Sequence, residues 1–125
     1  MSDSKKRILI VEDEKPMAKV LKMKLEHSGF EAETAGDGKE AMGFVEAGPF
    51  DLILLDLVMP NMDGFSFLTS LRKRNIQTPV IVSSNLSQAE DVSRAKELGA
   101  VDYFVKSDIS ITEVVERITR ILNES

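Results

Sequence analysis

The chain has 125 residues with 16 basic and 21 acidic side chains, a net charge of −5, and no cysteine. That length makes one domain with a core large enough to need no staples, and without cysteine there are no disulfides, thiolate metal sites or cysteine nucleophiles. The acidic balance is spread along the chain and opposes adherence to nucleic acid phosphates. Met1 to Arg7 lacks the apolar core of a leader and no apolar run approaches membrane-spanning length, so a soluble cytoplasmic protein with no membrane contact is the expectation. Lys5-Lys6-Arg7, the one basic run, reads as a solvated flank.

Short β-branched or leucine-rich runs alternate with longer segments of helical period. Strands are expected near 7–11, 30–34, 51–55, 79–83 and 101–105. The first helix begins around Lys15 with Pro16 in its first turn, carries Met17, Val20, Leu21 and Leu25 on one face and stops at Gly29. Asp37-Gly38 turns the chain into a second helix that ends before Gly48-Pro49. The third runs from about Gly64 to Arg74 and buries Phe65, Leu68 and Leu71. A fourth, from about Ser87 to Leu98, has only Val92, Ala95 and Leu98 in weak apolar register.

The fifth helix has the plainest pattern. Ser110 to Glu113 has capping-box spacing, and Ile111, Val114, Val115, Ile118, Ile121 and Leu122 follow at helical intervals. Glu113, Glu116, Arg117 and Arg120 fall opposite. Five βα units in strict alternation imply a parallel sheet covered by helices on both faces. The expected class is therefore α/β, a doubly wound five-stranded parallel sheet with five helices, as one domain over 1–125 and no output domain. The flavodoxin-like order 2-1-3-4-5 is adopted by analogy.

Three strands end on charged residues. Ile8-Leu9-Ile10-Val11 stops at Glu12-Asp13, Leu52-Ile53-Leu54-Leu55 stops at Asp56, and the run from Val101 to Val105 stops at Lys106. Ligands of open α/β sheets bind outside the carboxyl ends of the strands, where strand order reverses. Strands one and three are neighbours in that order, which brings Glu12 and Asp13 beside Asp56. Converging carboxylates repel one another, and a divalent cation relieves the repulsion; an all-oxygen set without His or Cys favours Mg²⁺ or Mn²⁺ over zinc.

From about Lys6 to Leu122 the chain resembles a two-component response regulator receiver domain of the CheY-like kind. The resemblance rests on Val11-Glu12-Asp13, the segment from Asp56 to Gly64 (Asp-Leu-Val-Met-Pro-Asn-Met-Asp-Gly), Thr78-Pro79 before strand four, Ser84 after it, Leu98-Gly99-Ala100, and Tyr103-Phe104-Val105-Lys106. It implies phosphorylation of Asp56 by a sensor histidine kinase or a phosphotransferase. Asp13, Asp56 and the Val58 carbonyl would hold Mg²⁺, with Glu12 assisting. Lys106 would pair with Asp56 and then with a phosphoryl oxygen, Ser84 would donate to another, and Tyr103 would be the switch aromatic that turns inward. Such a protein is a signalling phosphoacceptor rather than an enzyme, a monomer or a weak phosphorylation-dependent dimer, with its downstream protein partner unnamed.

A receiver fold that docks partners without being phosphorylated is the alternative, and intact Asp56, Asp13, Ser84 and Lys106 argue against it. A flavodoxin would need a phosphate loop where Glu12, Asp13 and Glu14 stand. A haloacid-dehalogenase-type phosphatase would need Asp in place of Val58. Three departures from the usual pattern carry expectations. Glu12 stands where Asp is commoner, which lengthens the arm. Ser107 stands where proline is usual, so Lys106–Ser107 is expected to be trans. Val58 and Asn85 flank the acceptor and should alter phosphoryl lifetime.

Overall fold

The computed structural model describes residues 5–59 and 62–124. Met1 to Ser4, Pro60, Asn61 and Ser125 lie outside the described residues, so the Pro60-Asn61 step of the acceptor segment is known from sequence alone. Along the chain come β1 (Arg7–Val11), α1 (Lys15–His27), β2 (Glu31–Ala35), α2 (Gly38–Ala47), β3 (Leu52–Leu55), α3 (Gly64–Lys73), β4 (Val80–Ser84), α4 (Ala89–Glu97), β5 (Ala100–Val105) and α5 (Ile111–Glu124). The strands are parallel in the order β2-β1-β3-β4-β5.

The expected boundaries shift by a residue or two. The second strand is displaced by one, because Phe30 donates its N–H to the Leu25 carbonyl and still belongs to the end of α1. The fourth helix begins at Ala89 rather than Ser87. A short 3-10 turn over Lys106–Asp108, which the sequence did not announce, follows β5.

The continuous apolar runs of β1 and β3 follow from burial on both faces. Leu9 and Val11 of β1, with Ile53 and Leu55 of β3, face one core layer, shared with Ala41 and Met42 of α2, Phe65, Phe67, Leu68 and Leu71 of α3 and Ala95 of α4. Ile8 and Ile10, with Leu52 and Leu54, face the other, shared with Leu21 and Leu25 of α1 and Val114, Val115, Ile118 and Leu122 of α5. Phe67 is fully buried and was absent from the expected face of the third helix. Its ring widens the stripe that α3 buries.

Two details of α5 differ from expectation. Only half of the capping box forms: Ser110 Oγ accepts from the Glu113 N–H at 3.1 Å, while the Glu113 carboxylate pairs with Arg117 instead. Arg117 is not a plain solvent residue either. Its guanidinium lies 5.2 Å from the Phe104 ring centroid and bonds Asp102, so the arginine stem covers the β5 edge.

Candidate metal and phosphoacceptor site

Two backbone hydrogen bonds align the strand ends that carry the acids. Asp56 N donates to Val11 O at 2.9 Å, and Glu12 N donates to Ala35 O at 2.9 Å. The ends of β2, β1 and β3 are thereby laced together, and the side chains of Glu12, Asp13 and Asp56 each offer a carboxylate oxygen within 4.8 Å of the others. Glu12 and Asp56 are buried, whereas Asp13 is exposed at the rim.

Lys106 answers these charges and pairs with Asp56 as expected. The strands carrying Asp56 and Lys106 are not neighbours, because β4 lies between β3 and β5. The lysine side chain spans that distance and puts Nζ 2.6 Å from Glu12 Oε1 and 3.1 Å from Asp56 Oδ2. The longer arm of Glu12 thus engages the ammonium directly, a contact not foreseen from sequence. Its other oxygen, Oε2, accepts the Glu14 N–H at 3.2 Å. Burial raises the Glu12 carboxyl above its ordinary range, against the hydrogen bond from Lys106 and with help from the charge of Asp56. Burial pulls Lys106 down, but its hydrogen bond to Glu12 and the charges of Asp56 and Glu12 outweigh this and leave it raised.

The acceptor loop is held tightly after Asp56. Asp56 Oδ1 accepts the Val58 N–H at 3.3 Å, and Gly64 N donates to Leu57 O at 2.9 Å. A Cβ at Gly64 would stand 2.6 Å from the Asp56 carbonyl oxygen, so only glycine lets α3 start this close to the acceptor. Val58 itself is 58 % exposed beside the carboxylate.

On the opposite wall Ser84 is fully buried, and its Oγ accepts the Leu86 N–H at 3.2 Å. The Tyr103 hydroxyl donates to the Leu86 carbonyl at 2.6 Å. Tyr103 is therefore already tied to the β4–α4 loop. Both contacts meet at the main chain of Leu86, which no side-chain pattern could reveal. Burial, then the charge of Asp91, push the Tyr103 phenol above its usual value, opposed by a bond from Ser84. No cis peptide bond occurs among the described residues, so Lys106–Ser107 is trans as expected. Asp13, Glu14, Asp56, Val58, Ser84, Asn85, Leu86 and Lys106 enclose a cleft of about 300 Å³. A roomier groove of about 500 Å³ between α1 and α5 contains His27 but no comparable convergence of charge.

The residues fit a hard divalent cation. The donors are all carboxylate oxygens, one ammonium cannot neutralise three acids, and the exposed Asp13 leaves the group open to solvent. The acidic group thus lies where open α/β sheets bind their ligands, outside the carboxyl ends of β1 and β3.

Comparison with known proteins agrees. The profile of the response regulator receiver domain matches residues 8–119. The alkaline phosphatase synthesis transcriptional regulatory protein PhoP of Bacillus subtilis is 37% identical over 120 residues, covering 96% of this chain and 50% of that protein. The receiver domain of the Francisella response regulator 1452 superimposes with a TM-score of 0.89 at 36% identity, covering 95% of this chain and 98% of that one. The response regulator TrrA of Thermotoga maritima, solved in complex with Mg²⁺-BeF, gives 0.80 at 31% identity, covering 92% and 97%. The chain belongs to the response regulator receiver domain family and is the phosphoacceptor module of two-component signalling. It spans about half the length of the curated relatives it matches. No described helix is long and apolar enough to cross a membrane.

Proposed function

We propose that Asp56 is the phosphoacceptor and that a sensor histidine kinase or phosphotransferase supplies the group. The observation that carries this reading is the convergence of Glu12, Asp13 and Asp56 at the ends of β1 and β3, with Lys106 paired to Glu12 and Asp56. An Asp56 oxygen forms a bond to phosphorus as the bond from phosphorus to the donor histidine nitrogen breaks, and the imidazole leaves with its electron pair. Transfer of this kind has a loose transition state in which position and charge neutralisation do most of the work.

Asp13, Asp56 and the Val58 carbonyl would hold Mg²⁺, or Mn²⁺ in its place, with Glu12 assisting. Bound there, the cation neutralises the formal charge of about −2 on Glu12, Asp13, Asp56 and Lys106, which otherwise repels an incoming phosphoryl group. The chain's own groups do the rest. Lys106 moves from the Asp56 carboxylate to a phosphoryl oxygen, and the Ser84 hydroxyl, whose oxygen accepts the Leu86 N–H, turns its own O–H to donate to another. Hydrolysis of the acyl phosphate in the same cleft, shaped by Val58 and Asn85, resets the protein. The phosphorylated form presents α4, β5 and α5 to a downstream protein, as a monomer or weak dimer in the cytoplasm.

Intact-mass measurement after incubation with Mg²⁺ and acetyl phosphate is the test. The protein should gain one phosphoryl group and Asp56→Asn none. A full increment in the variant would move the acceptor elsewhere. No increment in either protein would favour docking independent of phosphorylation.

A further inference from the structure

The turn from β2 into α2 lies against the acceptor loop at a distance that only glycine permits. Gly38 is buried, and a Cβ on it would lie 2.7 Å from Met62 Cβ, 2.7 Å from the Met62 carbonyl oxygen and 2.8 Å from Met62 Cγ. Rotating the methionine side chain cannot clear this overlap, because one of the atoms is main chain. Either α2 or the loop after β3 would have to move.

The α2 side is closed by two side-chain hydrogen bonds. The Asp37 carboxylate accepts the Glu40 N–H at 2.8 Å, and Glu40 Oε1 accepts the Gly36 N–H at 2.6 Å, so the turn is bonded in both directions. Ala41 and Met42 then anchor the first turn of α2 in the core. Ala35, one residue before this turn, also holds the Glu12 N–H. The acceptor loop leaves Val58 exposed, and on the α3 side Gly64 is bonded to the Leu57 carbonyl so closely that a Cβ there would lie 2.6 Å from the Asp56 carbonyl oxygen. Met62 stands two residues before Gly64, whose N–H donates to the Leu57 carbonyl at 2.9 Å, so displacement at Met62 reaches Leu57 and Asp56 through that bond, and Val58 through its N–H bond to Asp56 Oδ1.

We propose that Gly38 is a positioning residue for phosphoryl uptake: the bonded start of α2 is a buttress that sets Met62, and through it the Asp56–Val58 segment, in register with Glu12 and Asp13. This rests on the phosphoacceptor reading above. It assigns a role in the chemistry to an element that contributes no ligand and no nucleophile.

Gly43 supplies the control. It lies in the same helix, is exposed, and has nothing within 4 Å of a Cβ position. Gly43→Ala should raise the thermal midpoint by about 3 °C and leave uptake unchanged. Gly38→Ala should slow phosphoryl uptake from acetyl phosphate roughly ten- to a hundredfold and weaken Mg²⁺ binding about tenfold. The double variant should regain thermal stability and keep both losses. Should Gly38→Ala prove too unstable to handle, the same comparison is made between Gly43→Ala and the double variant. Gly38→Ala/Met62→Gly, which removes the Cβ and Cγ of the contact, should recover part of the rate. Wild-type rate and Mg²⁺ affinity in Gly38→Ala, or losses that vanish when stability is restored, would overturn the proposal. If the wild type takes up no phosphoryl group, the acceptor reading falls, and the Mg²⁺ titrations still decide whether Gly38 sets the loop.

Discussion

The ammonium of Lys106 lies nearer Glu12 than Asp56, 2.6 Å from one carboxylate and 3.1 Å from the other. One lysine thus restrains two buried acids, and a cation entering the cleft competes with it for them.

That competition gives Lys106→Met and Asp13→Asn opposite effects on the metal. Lys106→Met removes a positive charge beside the carboxylates, so Mg²⁺ should bind roughly fivefold more tightly even as phosphoryl uptake collapses. Without metal it should cost about 3 kcal/mol of stability, because Glu12 is left buried without its counter-charge. Asp13→Asn removes a carboxylate and should weaken Mg²⁺ by about tenfold, roughly 1.4 kcal/mol. Mg²⁺ titrations and denaturant unfolding in chelator measure these effects. A shift of the same sign in both variants would contradict the arrangement.

Glu12 gives stability a definite pH slope. Its carboxyl is raised in the folded state, chiefly by burial, so the folded protein holds the proton more tightly than the unfolded chain does. Its contribution is fully present below the unfolded value of 4.5 and is lost as pH rises through the folded one. Glu12→Gln cannot lose it. The stability of that variant relative to wild type should therefore rise across the same window, in denaturant titrations run with chelator. A relative stability that falls with pH there would refute the assignment.

Tyr103 is the one tyrosine in a chain without tryptophan, so its absorbance and fluorescence report a single site. Tyrosinate absorbance should appear at a pH above the ordinary value of 10.0. The stability tied to this phenol is present below that value and lost as pH climbs through the raised one. Tyr103→Phe deprives the Leu86 carbonyl of its donor and should cost about 1 kcal/mol. Titration at or below the ordinary value would show that the hydroxyl is not held against Leu86.

Phosphorylation should disturb α4 unevenly. Arg72 of α3 donates to the carbonyls of Leu98 and Gly99 beyond the end of α4, and to those of Ile76 and Thr78 before β4. At its other end α4 has no side-chain cap at Gln88, and Ala95 is its only buried residue. Hydrogen exchange with and without beryllium fluoride should therefore change most over residues 84–95 and least over 98–100. Arg72→Met should extend the change to the whole helix. A uniform response in the wild type would mean that the arginine clamp does not hold the C-terminal end.

Much of the fold was legible because periodicity survives without knowledge of neighbours. Runs such as Ile8 to Val11 and Leu52 to Leu55 announce strands buried on both faces, and Ile111 to Leu122 announces an amphipathic helix. The abrupt ends of those runs at Glu12, Asp56 and Lys106 marked the site, since a charge at the end of a buried strand must reach solvent, a partner or a ligand. Strand order came from analogy, and its consequence came only from the structure: Lys106 reaches past β4 to Asp56 and past β3 as well to Glu12, the nearer of the two acids. The tie from Tyr103 to Leu86, the carbonyl clamp of Arg72 and the closeness of Gly38 to Met62 were equally hidden. Each depends on main-chain atoms that every residue carries, and their meeting is decided by how distant segments pack rather than by which side chains they bear.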